Sequence, residues 1–123
     1  MDKNIIWIAS YPKSGNTWVR SVLCSLFYTD DGNFNFNTLK KINTFDRPFY
    51  FDEVTKEKKI STYDLTTLAK LRIKAQKIFN KKNTLKFFKT HAANIKIDGH
   101  DYTNQETTRC TIYIVRDPRD VVL

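Results

Sequence analysis

An apolar run that stops at a Pro- and Gly-containing turn, and then restarts with a different period, most constrains the fold of this chain. Residues 5–9 read Ile-Ile-Trp-Ile-Ala, and after the turn at residues 10–15 apolar residues return at helical spacing. A short apolar run bounded by Pro and Gly is typical of a buried strand, and spacing of three and four is typical of a helix. The sequence therefore predicts a strand, a tight loop and a helix N-terminus within residues 5–18.

This junction also predicts an anion site. The first N–H groups of a helix have no partner within it, and the helix dipole places partial positive charge at the same end. Lys13 adds a full charge to the loop. A phosphate or a sulfate is the natural ligand of such a turn. The loop matches neither the Walker A spacing nor the Gly-x-Gly-x-x-Gly pattern, so an ordinary strand-to-helix turn stays the alternative.

The residues after the loop predict an amphipathic helix. Its apolar residues recur three and four positions apart, on one helix face: Trp18, Val19, Val22, Leu23, Leu26 and Phe27. We expect this face to pack in the core and to hold the helix N-terminus against the sheet. The ring of Trp18 has two interpretations, a core residue or a ligand contact.

A second amphipathic helix is predicted from residues 65–79, after an entry of Thr62, Tyr63 and Asp64 that offers hydroxyl and carboxylate caps. Between the two helices, residues 34–51 are rich in Phe, Asn and Thr without a clear period, and we interpret them as loop-rich. The aromatic residues of this region either cover the core or line a substrate pocket: Phe34, Phe36, Phe45, Phe49, Tyr50 and Phe51.

Two further apolar runs, residues 85–91 and 111–116, are typical of strands. Dozens of residues separate the three strands, which favours parallel pairing through crossover connections and an α/β fold. Parallel strands present their C-terminal ends at one edge of the sheet, where open α/β sheets bind ligands. We therefore expect residues 11–17, Thr90, His91, Arg116 and Asp117 to surround one crevice.

Length and composition limit the chain to a single globular domain. Its 123 residues, 41% hydrophobic and 28% charged, suffice for one modest core. No apolar run approaches the ~20 residues of a membrane helix, and the apolar start is too short for a secretory signal. We therefore expect a cytoplasmic protein without a membrane segment. Cys24 and Cys110 show no metal-binding spacing, and we interpret both as core thiols.

A formal net charge of +8 favours an anionic partner, whether a phosphate-rich cofactor, an acidic substrate or nucleic acid. Much of the excess is lysine scattered between apolar residues, which is typical of a solvated face. No Arg-aromatic repeat or RNA-binding signature accompanies it, so nucleic acid is not the expected partner.

Three short motifs occur at the ends of the three predicted strands. They are Tyr-Pro-Lys-Ser-Gly-Asn-Thr-Trp at residues 11–18, Phe-Lys-Thr-His at residues 88–91, and Tyr-Ile-Val-Arg-Asp-Pro-Arg-Asp-Val-Val-Leu at residues 113–123. In this order they resemble three motifs of the sulfotransferases that use 3′-phosphoadenosine 5′-phosphosulfate (PAPS): the 5′-phosphosulfate loop, the catalytic-histidine strand and the 3′-phosphate motif. The resemblance spans Ile5 to Leu123, although residues 30–84 match no motif.

The resemblance implies a P-loop-like parallel sheet flanked by helices, incomplete at the C-terminus. It implies transfer of a sulfuryl group from PAPS, as co-substrate and without a metal, to a hydroxyl or amine of a small-molecule or glycan acceptor. His91 is the implied general base, and a neutral imidazole can accept the proton of the acceptor. Lys13 is the implied stabiliser of the departing phosphate. The implied cofactor-binding residues, with Trp18 on the adenine and Arg116 on the 3′-phosphate, are Lys13, Ser14, Gly15, Asn16, Thr17, Trp18 and Arg116.

The sequence departs from the family in two places. Asn16 stands where the family usually has Thr. A Ser that follows the position of Leu123, and a later Arg-Lys-Gly segment, both hold the 3′-phosphate in the family and have no counterpart within the 123 residues. We therefore expect residues 1–123 to form a single, partial sulfotransferase domain, whose activity alone is open and whose sheet exposes an edge.

Two other function classes are consistent with parts of the pattern. A P-loop kinase or nucleotide-binding protein would share the fold, but the Lys-Ser/Thr order at the end of the loop is missing. A basic nucleic-acid-binding module would bind with a steep salt dependence, and would not distinguish adenosine nucleotides by their 3′-phosphate.

Overall fold

A parallel three-stranded sheet forms the centre of the computed structural model, which describes residues 3–56 and 64–122. Its strands are β1 (Ile5–Ser10), β2 (Lys86–Thr90) and β3 (Thr108–Ile114), in the order β2-β1-β3. Both pairs are parallel, with Trp7 of β1 opposite Phe88 in β2 and Thr111 in β3. The predicted α/β fold is confirmed, and all three strands end at one edge of the sheet.

Five helices accompany the sheet in the described residues: α1 (Asn16–Tyr28), α2 (Phe36–Leu39), α3 (Phe49–Thr55), α4 (Leu65–Lys81) and α5 (Pro118–Val122). The first and fourth confirm the two amphipathic helices that spacing predicts. The carboxylate of Asp64 accepts a hydrogen bond from the Thr67 N–H at 2.8 Å and so caps α4. Thr62 and Tyr63, the other predicted caps, lie outside the described residues, as does Leu123.

Trp7 is central to the hydrophobic cluster between the sheet and helices α3 and α4. Its ring packs edge-on against Phe45 with centroids 5.3 Å apart, and lies 5.8 Å from the ring of Phe88. Its indole N–H is within 3.2 Å of the Thr103 hydroxyl and 3.1 Å of the Thr108 hydroxyl. Burial and a satisfied polar atom together fix β1, the strand that leads into the loop.

The region predicted as loop-rich contains two short helices, α2 and α3. The side chain of Asn35 accepts a hydrogen bond from the Asn37 N–H at 2.8 Å and caps α2, while Pro48 directly precedes α3. Helices of four and seven residues are too short to produce a readable period, and they form because caps and core contacts stabilise them.

The aromatic residues of this region divide between the core and the surface of the protein. Phe45 and Phe51 are fully buried in the cluster around Trp7. Phe34 and Phe36 are exposed, with ring centroids 5.0 Å apart, and line a cleft. Core residues and cleft residues therefore come from one continuous segment.

The prediction that the whole apolar face of α1 packs in the core is wrong. Cys24 is buried and Val19 and Leu23 pack against the second hydrophobic cluster, on the opposite face of the sheet from Trp7. The remaining residues of the stripe are exposed: Trp18, Val22, Leu26 and Phe27. A sheet of three strands is narrow compared with this apolar stripe, so part of the stripe finds no strand to cover it.

Cys110 is exposed, so its interpretation as a core thiol is wrong, whereas Cys24 is buried as expected. Cys110 lies on β3, which pairs with β1 alone in the described residues and forms an edge of the sheet. An edge strand is covered on fewer sides than a central one, which accounts for its exposure. Among the described helices, none has the length and hydropathy needed to cross a membrane.

Candidate active site

The loop between β1 and α1 has the geometry of an anion-binding turn. Lys13 and Gly15 both adopt positive φ, at 65° and 99°. The first α-helical bond runs from the Val19 N–H to the Gly15 carbonyl at 3.1 Å, so the three preceding N–H groups have no such partner within the helix. No acidic residue lies in the first turn of α1, and no side chain caps it. The N-terminus therefore presents uncompensated positive charge.

Positive φ has a different cost at the two positions. A Cβ added at Gly15 would meet nothing within 4 Å, so the backbone conformation, rather than space, requires glycine there. Lys13 adopts the same region at the cost of backbone strain, which proteins concentrate at functional sites. The strained conformation holds the Lys13 carbonyl and side chain in a defined place at the start of the loop.

Arg116, just after β3, contacts this loop directly. Its Nη1 donates a hydrogen bond to the Lys13 carbonyl oxygen at 3.2 Å. Both side chains are exposed. The third strand thus places a guanidinium beside the anion-binding turn.

His91, just after β2, is held by the end of β1. Its Nδ1 lies 2.7 Å from the Ser10 carbonyl oxygen and 3.3 Å from the Ser10 hydroxyl. A carbonyl oxygen can only accept, so Nδ1 carries the proton and the neutral ring presents Nε2 as its basic nitrogen. The contact therefore assigns the tautomer of His91.

One cleft of about 710 Å³ collects most of the predicted site residues. It is lined by Lys13, Gly15, Asn16, Thr17, Trp18, His91 and Arg116, together with Lys89, Phe34 and Phe36. Its volume is suitable for a nucleotide-sized ligand. Trp18 is 72% exposed at the cleft, so its ring is not a core residue and is accessible for stacking.

Two of the predicted residues are placed differently from the rest. Ser14 is buried and lines a neighbouring cleft of about 290 Å³ with Tyr113 and Val115. The side-chain amide of Asn16 is buried and donates to the end of β1. For Asn16 it is the main chain, at the start of α1, that belongs to the anion-binding turn.

A third cleft, of about 540 Å³, meets the 710 Å³ cleft at His91. It is lined in part by Tyr11, Thr90, Tyr102 and Tyr113. The Thr90 and Tyr102 hydroxyls are 2.7 Å apart and satisfy each other. The imidazole consequently lies between a basic cleft and one lined largely by aromatic and hydroxyl groups.

A family model described as a sulfotransferase domain matches residues 3–123, almost the whole chain. The chain belongs to the sulfotransferase family. No curated protein and no solved structure matches it. The three-stranded parallel sheet flanked by helices is consistent with the P-loop-like fold that the family implies.

Lys89 is the residue of this sulfotransferase that sequence reasoning missed. It is half-buried and lines the same basic cleft as His91, which lies two residues later, just beyond the end of β2. Burial, and then the charges of Arg20 and Arg47, lower the pKa of its ammonium. The predicted strand over residues 85–91 could have indicated it, since residues two apart in an extended segment point to the same side.

Other titratable groups of the sulfotransferase lie away from this arrangement. His100 lies in the turn after Asp98, where its N–H and carbonyl both bond to Ile97. Arg119 forms an ion pair with Asp117 at 2.7 Å, and its hydrogen bonds lower the pKa of that carboxyl. In the part of the chain that the structure describes, no three His, Cys, Asp or Glu side chains come together as a metal site.

Proposed function

We propose that this sulfotransferase transfers a sulfuryl group from PAPS to a hydroxyl or amine on a small-molecule or glycan acceptor. One observation supports the proposal most strongly: Lys13, His91 and Arg116, which come from the ends of three different strands, line a single cleft. The cleft is basic, and PAPS carries phosphate groups on two sides of its ribose. The charge and the placement of the residues fit that distribution.

The residues suggest how PAPS would be held. The main-chain N–H groups at residues 14–17, with the Lys13 ammonium, suit the 5′-phosphosulfate, because a helix N-terminus and a loop with positive φ favour anions. Arg116 suits the 3′-phosphate, because a planar guanidinium binds phosphate oxygens in pairs. The exposed ring of Trp18 suits the adenine. Bound PAPS would supply an activated sulfuryl group on a good leaving group.

His91 is the proposed general base. Its Nδ1–H is held by the Ser10 carbonyl at 2.7 Å, so Nε2 is the nitrogen that takes the acceptor proton. The acceptor O–H or N–H bond breaks as the new bond to sulfur forms, and the proton stays on Nε2. The resulting imidazolium keeps its Nδ1–H contact with the Ser10 carbonyl, which stabilises the charge. General bases of this kind contribute about 100- to 10,000-fold to rate.

Lys13 has the complementary role. Negative charge develops on the bridging oxygen as the bond from sulfur to the phosphate breaks, and an ammonium close to it stabilises that charge. A positioned donor of this type is worth about 3 kcal/mol in the transition state. The hydrogen bond from Arg116 to the Lys13 carbonyl supports the loop that carries this side chain.

We propose that residues 1–123 form a single, partial sulfotransferase domain. Large apolar side chains are exposed on α1, on β3 and just after β3, including Leu26, Tyr113 and Val115. In the described residues β3 pairs on one side only. Further polypeptide paired with β3 would extend the sheet and cover apolar surface at that edge.

Nucleotide binding tests the proposal most directly. Titration calorimetry with 3′-phosphoadenosine 5′-phosphate and with 5′-AMP should show at least about tenfold tighter binding of the doubly phosphorylated nucleotide. Arg116→Ala should abolish that preference. Arg109→Ala is the matched control, because Arg109 is an exposed β3 arginine bonded to the Lys3 carbonyl, away from the cleft. Equal affinity for the two nucleotides in the unmodified protein would contradict the proposal.

A further inference from the structure

We propose that Asn16 is a positioning residue, which holds His91 through the end of β1 and so couples the anion-binding turn to the base. The inference rests on the proposed role of His91 as base. It assigns the Asn16 side chain a task other than contact with the donor.

Asn16 makes its contacts inward. The residue is 5% exposed, and its Nδ2 donates to the Ile8 carbonyl at 3.3 Å and to the Ser10 hydroxyl at 3.1 Å. The orientation of the amide is settled by Ile8, because a carbonyl can only accept and the amide must therefore turn its N–H toward it. The two contacts lie on either side of Ala9, so one amide holds the last three residues of β1.

The same end of β1 holds His91. The Ser10 carbonyl is 2.7 Å from Nδ1 and the Ser10 hydroxyl is 3.3 Å from it. The hydroxyl follows the side-chain torsion of Ser10, which Asn16 restrains directly, and the carbonyl follows the main chain of β1, which Asn16 holds at Ile8. A change at either oxygen alters the contacts that orient the imidazole ring. Asn16, Ser10 and His91 consequently form a continuous set of contacts from the first residue of α1 to the imidazole.

The remaining oxygen of Asn16 strengthens this interpretation. Its Oδ1 is buried and has no hydrogen-bond partner in the described part of the chain. A buried oxygen without a partner costs stability, and a leucine of similar size would avoid that cost. Asparagine is thus a poor choice for packing alone, and its donor group is what the site uses.

The coupling follows from where the two ends of Asn16 lie. Its main-chain N–H is at the open N-terminus of α1, and its side chain is attached to β1. An anion that orders the turn also fixes the direction of the side-chain amide, and with it Ser10 and the ring of His91. Binding of the donor and orientation of the base are then one event.

Nitrogen NMR of the imidazole tests this inference without requiring turnover. In the unmodified protein, ¹⁵N shifts of His91 should show the tautomer protonated at Nδ1. Asn16→Leu, which keeps the size and removes the donor, should shift His91 toward a mixture with the Nε2-protonated tautomer. Asn80→Leu is the matched control, since Asn80 is also buried but bonds to Asn4 at the opposite end of β1. An equal change in both variants would make the effect merely structural and overturn the inference.

Kinetics with PAPS give the second readout. Asn16→Leu should lower kcat by about 10- to 100-fold through misplacement of the base. The Kd for 3′-phosphoadenosine 5′-phosphate should stay within about threefold, because the main-chain N–H groups are kept. A weakened Kd with unchanged kcat would instead make the side chain a donor ligand and contradict the inference.

Ser10→Ala covers the case in which Asn16→Leu does not fold. It removes one oxygen and leaves the Ser10 carbonyl, so the fold should tolerate it, and a smaller shift of the His91 signals in the same direction is expected. Unchanged His91 signals would overturn the inference. If the unmodified protein binds 3′-phosphoadenosine 5′-phosphate no better than 5′-AMP, the proposed function fails, while the NMR comparison still decides whether Asn16 positions the ring.

Discussion

Arg116 donates a hydrogen bond to the carbonyl oxygen of Lys13 at 3.2 Å, although 103 positions separate the two residues in the chain. The contact is possible because β1 and β3 are parallel neighbours that end at the same edge of the sheet. A guanidinium carries several N–H donors, so one bond to the loop leaves others directed at the cleft. Arg116, the proposed contact of the 3′-phosphate, is therefore fixed to the main chain of Lys13, the proposed stabiliser of the leaving group.

Loss of either proposed catalytic side chain should reduce turnover strongly. Lys13→Ala and His91→Ala should each lower kcat by about 100-fold or more, because one removes transition-state charge stabilisation and the other removes the base. Transfer of ³⁵S-labelled sulfuryl groups from PAPS to a panel of acceptors measures the effect. Lys74→Ala, an exposed change on α4, serves as the control. A near-normal rate in either variant would remove that residue from the mechanism.

Arg116→Lys should keep the positive charge at this position but lose the planar pair of N–H donors that a guanidinium offers to phosphate. An ammonium cannot form two coplanar hydrogen bonds to a pair of phosphate oxygens. The affinity for 3′-phosphoadenosine 5′-phosphate should therefore fall by about tenfold, while the affinity for 5′-AMP stays nearly constant. Titration calorimetry separates the two ligands. A parallel loss for both nucleotides would show that Arg116 supports the loop and does not bind the 3′-phosphate.

Binding of the nucleotide should be coupled to protonation of Lys89. Burial and the nearby arginines lower the pKa of this ammonium from its ordinary 10.5, and an anion in the cleft favours the charged form and raises the pKa again. Between the lowered and the raised pKa, binding takes up a proton and affinity falls as pH rises; below the lowered pKa this dependence disappears. Calorimetry at alkaline pH in two buffers of different ionisation heat measures the uptake. Lys89→Met should abolish it, and unchanged uptake in that variant would assign it to another group.

The lowered pKa of Lys89 also fixes the sign of a stability effect in the absence of ligand. The unfolded chain binds more protons than the folded chain between the lowered pKa and 10.5, so this residue makes stability rise with pH in that interval. Urea unfolding of the unmodified protein and of Lys89→Met across this interval should therefore differ in slope. Equal slopes would contradict the shift.

Breaking the ion pair between Arg72 and Asp46 should destabilise the protein strongly. Arg72 is 4% exposed, and its Nε and Nη2 donate to the two carboxylate oxygens at 3.1 and 3.3 Å. Asp46→Ala should lower the free energy of unfolding by about 3 kcal/mol, because it leaves a buried guanidinium without its partner. Urea denaturation measures the change. Glu106→Ala, which breaks the exposed pair with Lys77, should cost less than about 1 kcal/mol, and a similar cost for both changes would contradict the expected effect of burial.

Much of the site's location could be predicted from the sequence. The change of period around residues 10–15 marks the end of a strand and the start of a helix, and parallel pairing brings the ends of three strands together. Those two inferences suffice to place Lys13, His91 and Arg116 around one crevice. They depend on local patterns and on a general rule of sheets, neither of which requires side-chain detail.

The direction of individual side chains could not be predicted in this way. Asn16 has a side chain able to bind phosphate, and only the packing of α1 against β1 turns it inward to Ser10. The exposure of Leu26 and Val22 depends on how many strands lie beside α1, which helical periodicity does not report. Cys110 illustrates the same limit, since an apolar run does not distinguish an edge strand from a central one.

The position of His91 where the two clefts meet has a kinetic consequence. Donor and acceptor would approach the imidazole from different openings, so neither has to leave before the other enters. The reaction would then proceed in a ternary complex by direct displacement, with inverted configuration at sulfur, and no sulfated enzyme would accumulate between half-reactions.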